Sequence, residues 1–259
     1  MKALKFELSG RTAMFKKPDV NSYAYFTYSN VHKIALLGII GAILGLGGYN
    51  QKNSKFNNKS KNKKNEIDRE LKFPEFYNRL KDLKISIYPN GNGYFTKKIQ
   101  IFNNSVGYAS EEKGGNLIVR EQWLENPRWS IYLLDDNSIE RSLFDKLEDY
   151  ILNSKCEYIP YLGKNDHLAV ISDCSVVELQ KSNLNYINSL FINENILIDL
   201  YPYDEEQPVF FFKEIAPFRM NEEYNFYEFK EFVMTNLEIS NVAELNNVFS
   251  VDNISLFFY

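Results

Sequence analysis

Leu4, Phe6 and Leu8 alternate with Lys5, Glu7 and Ser9, a period of two that predicts a half-buried strand ending at Gly10. A polar and aromatic loop, RTAMFKKPDVNSYAYFTYS, follows. After it comes VHKIALLGIIGAILGLGGY, which holds no charge beyond Lys33. Gly45, Gly47 and Gly48 read as a helix C-terminus, so a helix is predicted from about Val31 to Leu46, with Ser29 or Asn30 as N-cap. Gly38, Gly41 and Gly45 on this helix predict close packing against a sheet. PEFYNRLKDL then reads as a short helix and LKISIYP as a strand with Ile85 and Ile87 on one face. Residues 89–127 are dense in turn signals (Asn90-Gly91, Asn92-Gly93, Gly114-Gly115), yet they contain the strand-like pieces KKIQIF and NLIVREQWL. That combination predicts a long excursion built around a hairpin. RWSIYLLD returns to strand character. SLFDKLEDYIL places Leu143, Leu147 and Ile151 at helical spacing behind a capping-box-like Ser142 and Asp145, and EYIPYLGKNDHLAVIS supplies one more strand.

The order β-α-β, insertion, β-α-β belongs to the α+β class. It predicts a ferredoxin-like, RNA-recognition-motif-like domain over residues 1–175, with a β-hairpin thumb inserted at about 89–127. From about Val176 the short aromatic runs ILIDLYPY, VFFFKEI and ISLFFY predict a smaller, mostly β C-terminal domain over 176–259. No internal repeat is visible, and the Lys/Asn-rich stretch 52–64 is the only low-complexity piece.

Charge changes this picture. Residues 1–64 hold twelve Lys or Arg against Glu7 and Asp19, a net of +10; the whole chain is −4, so the remainder carries −14. A one-signed field at one end of an acidic protein points to a polyanion, either nucleic acid or a lipid surface, although 52–64 alone also fits a solvated loop. The eighteen uncharged residues of 34–51 stand at the lower edge of a membrane span. The terminal glycines shorten the helix below that length, and the polar and aromatic residues before it do not have a signal-peptide layout. A buried helix in a cytoplasmic protein, with no membrane partner, is therefore expected. Two cysteines, Cys156 and Cys174, and two histidines, His32 and His167, lack the paired spacing of a zinc site. No metal or other cofactor is expected.

Candidate chemistry gathers in two places. A helix N-terminus beside a basic loop attracts phosphate through its unpaired N–H groups, which singles out Phe15, Lys16, Lys17, Tyr28, His32 and Lys33. The trio Tyr28, His32 and Lys33 fits either acid–base cleavage of RNA or simple phosphate contact; contact is favoured, because nothing nearby in sequence tunes the acidities that cleavage needs. His167 reads as a residue that orders its turn. The second place is the insertion, where Tyr94, Phe95, Lys97, Lys98, Asn103, Asn104, Tyr108, Arg120, Gln122, Trp123 and Trp129 lie close in sequence. Rings that stack on bases, amides that read base edges and cations for the backbone are the means of single-stranded RNA recognition. Both tryptophans equally suit packing of the hairpin on the sheet.

The stretches MKALKFELSG, TAMFKKPDVNSYAYFTYSNVHKIALLGIIGAILG, KKIQIFNNSVGYASEEKGGNLIVREQWLENPRWSIYL and YLGKNDHLA occur in this order. Through them, over roughly residues 1–170, the chain resembles the CRISPR-associated Cas-five family in its type I-B-like branch. The resemblance implies a fold of the RAMP superfamily with a protruding thumb. It also implies a role: capping the 5′ handle of the guide RNA (crRNA) inside the antiviral Cascade complex, beside a Cas-seven backbone subunit and a Cas-eight large subunit. Phe15, Lys16, Lys17, Tyr28, His32 and Lys33 would then hold the handle, while Lys97, Lys98, Asn103, Asn104, Tyr108, Arg120, Gln122 and Trp123 would clamp or separate its bases. One branch, from type I-C systems, is itself the guide-processing ribonuclease. This chain looks unlike it, because His32 and Lys33 precede the glycine helix and do not align with that nuclease's catalytic residues. In type I-B-like systems a separate Cas-six enzyme cuts the precursor, so no catalytic residue is expected. The rival readings are an endoribonuclease using Tyr28, His32 and Lys33, and a membrane-associated protein anchored by the 31–49 helix.

Overall fold

The computed structural model describes residues 1–19, 23–50, 73–103, 107–114, 117–199 and 208–259. The expected Lys/Asn loop at 52–64, Asn104 and the end of ILIDLYPY lie outside the described residues. The first half contains β1 (Lys2–Ser9), β2 (Thr12–Ala13), α1 (Lys33–Leu44), α2 (Glu75–Leu80), β3 (Ile85–Pro89), β4 (Lys97–Asn103), β5 (Ile118–Glu125) and β6 (Arg128–Asp135). The second half contains α3 (Arg141–Leu152), β7 (Val170–Glu178), β8 (Gln180–Lys181), β9 (Phe191–Ile192), β10 (Phe211–Met220), β11 (Tyr227–Thr235), β12 (Val248–Val251) and β13 (Ile254–Phe257).

The described residues are sheet-rich with few helices, and their strands form four small sheets. The main one has the order β3-β6-β1-β7, every neighbour antiparallel. Leu4, Phe6 and Leu8 of β1 are fully buried, as the alternation predicts. Trp129, Ile131 and Leu133 stand opposite Leu8, Phe6 and Leu4 on β6 and are equally buried. The last strand of this sheet begins later than expected. Pro160 and Gly163 interrupt EYIPYLGKNDHLA, which forms a turn bridged by Tyr161 and Leu168, and β7 starts only at Val170. It runs through the 175/176 position where a domain boundary was expected, with a bulge opposite Lys5–Glu7 and Asp173 at φ +49°.

Beyond Lys33, α1 is apolar around its whole circumference, and a helix of that kind belongs inside. It contacts α2, α3 and β10. The glycine face meets a helix and not a sheet: a Cβ on Gly41 would lie 2.6 Å from Cβ of Phe76 in α2. The N-cap is His32, whose Nδ1 accepts the Ala35 N–H at 3.3 Å, in place of Ser29 or Asn30. Gly45 ends the helix at φ +78°, as expected of a left-handed C-cap. α3 buries Leu143, Phe144, Leu147 and Ile151. Its N-cap is Glu140, and Ser142 sits inside the first turn, where its hydroxyl donates to Glu140, so no capping box forms.

The C-terminal third is mostly β, and it shares one buried core with the first part. Tyr259 exchanges backbone hydrogen bonds with Ile85 at 3.1 and 3.0 Å and so closes the β3 edge. Phe232, Val233 and Phe257 join Leu36, Leu37 and Ile40 of α1 in the same cluster. The hairpin of β12 and β13 covers Ala3, Tyr132 and Leu134 on the other side of the main sheet.

Candidate nucleic-acid interface

Within the insertion, β4 and β5 pair antiparallel, and β2 adds to the base of the hairpin through Ala13 opposite Leu124. The loop after β2 folds back and continues this small sheet. The Tyr25 N–H donates to the Arg120 carbonyl at 2.9 Å, and the Gln122 N–H donates to the Tyr25 carbonyl at 2.8 Å. Within the loop the Lys17 N–H donates to Phe26 and the Tyr28 N–H to Phe15. Tyr25 thus makes an isolated parallel bridge to Glu121 of β5.

Along this edge, cations and rings pair. The Lys16 ammonium lies 3.8 Å from the centre of the Tyr25 ring, and the Arg120 guanidinium lies 4.8 Å from that of Tyr23. Tyr23 is 71% exposed, and Tyr25 and Phe26 are more than a third exposed. One face of the hairpin carries Ile99 and Ile101 of β4 opposite Gln122 and Arg120 of β5, and both isoleucines face solvent. Asn103 ends β4 and is exposed. Tyr108, in the turn Gly107–Ser110, is 81% exposed.

The other face of the hairpin is closed. The Lys164 ammonium donates to both Glu121 carboxylate oxygens at 2.8 and 2.9 Å. The Trp123 indole N–H donates to Glu121 at 3.0 Å, and its ring meets His167. Trp123, expected to stack on bases, therefore serves the hairpin base. Trp129 is fully buried and donates to Asn30 Oδ1 at 2.9 Å, while the Asn30 amide donates to the Gly93 carbonyl.

The expected site at the helix N-terminus is not on the surface. Phe15 and Tyr28 are buried in the core. His32 is buried with rings of Phe15, Tyr28 and Tyr227 against it, and burial pulls its basicity down to about 3. Lys33 is buried, donates to the Tyr259 main-chain oxygen at 3.0 Å, and is lowered to about 8, chiefly by burial and then by Arg219. Burial, with lesser contributions from Asp19 and Glu214, also raises the Tyr28 hydroxyl. His32 and Lys33 are withdrawn from a polyanion because the apolar helix carries its first turn inward with it, and Phe15 and Tyr28 are held in the core beside them. That signal was present in the sequence, in the absence of any polar stripe on the helix.

Several of the remaining cations are engaged within the molecule. Glu214, from β10, accepts the Ser29 N–H and hydroxyl and pairs with Lys17 at 3.4 Å. Lys97 donates to the Ser29 hydroxyl at 2.8 Å, and Lys98 pairs with Glu125 at 3.2 Å. Sequence reasoning missed Glu214, whose distance of 185 positions from Ser29 leaves no local signal. It also passed over Tyr23 and Tyr25. Residues 89–127 hold Lys97, Lys98, Lys113 and Arg120 against Glu111, Glu112, Glu121 and Glu125 and are thus neutral. Any grip on RNA by this hairpin comes from rings and a few placed cations, not from a field.

Among the described residues, no helix is long and apolar enough to cross a membrane, and no group of three or more His, Cys, Asp or Glu is placed to hold a metal ion. No protein-family model and no curated protein matches the chain. Solved structures similar to it include one of a CRISPR RNA-guided surveillance complex, at 10% identity and a TM-score of 0.47, covering 93% of this chain and 92% of that one. A CRISPR protein from Archaeoglobus fulgidus is similar at 9% identity and a TM-score of 0.48, covering 99% and 98%, and a Cas protein at 12% identity and a TM-score of 0.42, covering 93% and 96%.

Proposed function

We propose that this chain is a non-catalytic RNA-binding scaffold subunit of a type I CRISPR Cascade complex. It caps the 5′ handle of the guide RNA next to Cas-seven and Cas-eight subunits. The reading rests on the resemblance of residues 1–170 to the Cas-five family and on the order β3-β6-β1-β7, which suits a ferredoxin-like, RNA-recognition-motif-like sheet with β4 and β5 as its thumb. The observation that carries the RNA contact is the exposed edge where Lys16 meets Tyr25 and Arg120 meets Tyr23. Bases stack on such rings and phosphates reach such cations. Asn103 and Tyr108 lie farther along the same hairpin. A ring sealed in apolar surroundings and kept neutral, as His32 is, is poorly placed to exchange protons with a bound RNA, which supports a scaffold over a nuclease.

The test is binding of a repeat-derived 5′-handle RNA measured by fluorescence anisotropy. Tyr23→Ala with Arg120→Ala is expected to weaken binding about ten- to a hundredfold, since a stacked base contributes about 1–3 kcal/mol. Lys33→Met should leave binding within about twofold, because Lys33 lies in the core. A larger loss at Lys33 than at the Tyr23–Arg120 pair would return the site to the helix N-terminus.

A further inference from the structure

His167 is 1% exposed in the turn that follows Gly163. Its Nδ1 lies 2.7 Å from the Thr12 hydroxyl of β2, while its Nε2 is buried without a hydrogen-bond partner. The imidazole stands at 86° to the Trp123 indole, ring centres 4.6 Å apart. A perpendicular contact at that separation fits the edge of the compact imidazole against the face of the larger indole. The indole N–H is already engaged by Glu121, which also holds Lys164. Three chain segments therefore meet at this one imidazole: β2, β5 and the 160–169 turn.

We propose that His167 is a positioning residue that sets the direction of the β4–β5 hairpin. It is held as the neutral Nε2–H tautomer: the Thr12 hydroxyl donates to Nδ1, and Nε2–H rests on the electron-rich face of Trp123. The opposite tautomer would aim a buried lone pair at that face with nothing to donate to it, which is costly. An N–H over a ring face is a weak bond, yet here it joins the turn to the hairpin base. The charged groups around the imidazole are Glu121 on β5 and Lys164 and Asp166 on the turn. Burial is the largest influence and lowers its basicity, Asp166 and Glu121 act against that and Lys164 with it, so the ring stays neutral at physiological pH. This goes beyond RNA capping and does not depend on it, because the coupling lies within the chain.

Two measurements on the full chain without RNA test it. Nitrogen-15 NMR of the imidazole at pH 7 should show a protonated Nε2, with its proton shifted upfield by the indole, and an unprotonated Nδ1. Amide exchange should then rank two variants. His167→Gln returns an N–H near the Nε2 position and should keep the Phe102 and Val119 amides, which face each other across β4 and β5, protected as in the parent. His167→Asn reaches only the Nδ1 position and should speed their exchange about two- to fivefold, the equivalent of one such weak bond. An Nδ1–H tautomer, a charged ring at pH 7, or equal protection in the two variants would overturn the proposal. Should either variant fail to fold, the NMR assignment on the parent protein decides alone.

Discussion

Gly163→Ala is expected to destabilise the protein by about 2–5 kcal/mol, the largest loss foreseen for a single methyl group. Gly163 sits at φ +90°, and a Cβ there would lie 1.9 Å from the Met14 carbonyl oxygen. The backbone conformation alone costs an L-residue about 1–2 kcal/mol, and forcing two backbones apart adds about 1–3 kcal/mol. Relief requires the 160–169 turn to leave the loop that follows β2, where the Met14 N–H donates to the Leu162 carbonyl at 3.1 Å. Gly114→Ala is the control, because Gly114 has φ +81° with nothing within 4 Å of the added carbon; it should cost only about 1–2 kcal/mol. Urea unfolding followed by circular dichroism measures both. Equal costs would show that the turn moves aside freely and does not brace the hairpin.

Acid should unfold the protein partly through His32. Its folded value is about 3, against the ordinary 6.5, so the unfolded chain takes up the proton first. The resulting stability is fully present above about pH 6.5 and is lost as pH falls toward 3. Between pH 7 and pH 4 the loss from this one group is about 3 kcal/mol at 1.36 kcal/mol per pH unit. Carboxylates such as Asp136, lowered by the Lys84 and Ser138 bonds that outweigh its burial, lose stability over lower pH in any variant. The informative quantity is therefore the difference from His32→Asn, which keeps an N-cap side chain and removes the titration. That variant should flatten the urea-derived stability profile between pH 6.5 and 4 by about 3 kcal/mol. Parallel profiles would mean that His32 is hydrated in the folded state and that the helix N-terminus is open after all.

The two predictions rest on features of unequal visibility in the sequence. β1 and the C-terminal end of α1 were legible because their signals are local: Leu4, Phe6 and Leu8 alternate, and Gly45 adopts the left-handed cap that few other residues tolerate. The hairpin was legible because KKIQIF and NLIVREQWL flank a run of turn residues. The start of β7 was not, since EYIPYLGKNDHLA has strand letters but is bent at Pro160 and Gly163, and only contact with Met14 and Thr12 decides that. Fates of the cations were the least legible. Lys33 and Lys17 carry the same charge in sequence, yet one is carried into the core by its helix and the other is met by Glu214 from a strand nearly two hundred positions away. Lys16, one residue earlier, keeps an exposed place over Tyr25. Charge counting located the basic region of the chain; packing chose which of its residues face outward.

The capping role is tested most directly by the RNA that the full chain carries. The tagged protein is purified from cells that hold a CRISPR array and its partner subunits, and the 5′ ends of the co-purifying RNA are sequenced, in the parent and in Tyr23→Ala with Arg120→Ala. The parent should retain RNAs whose 5′ ends fall at one position within the repeat, and the variant should retain markedly less of them. RNA with ends scattered over cellular transcripts, or none above background, would contradict guide capping.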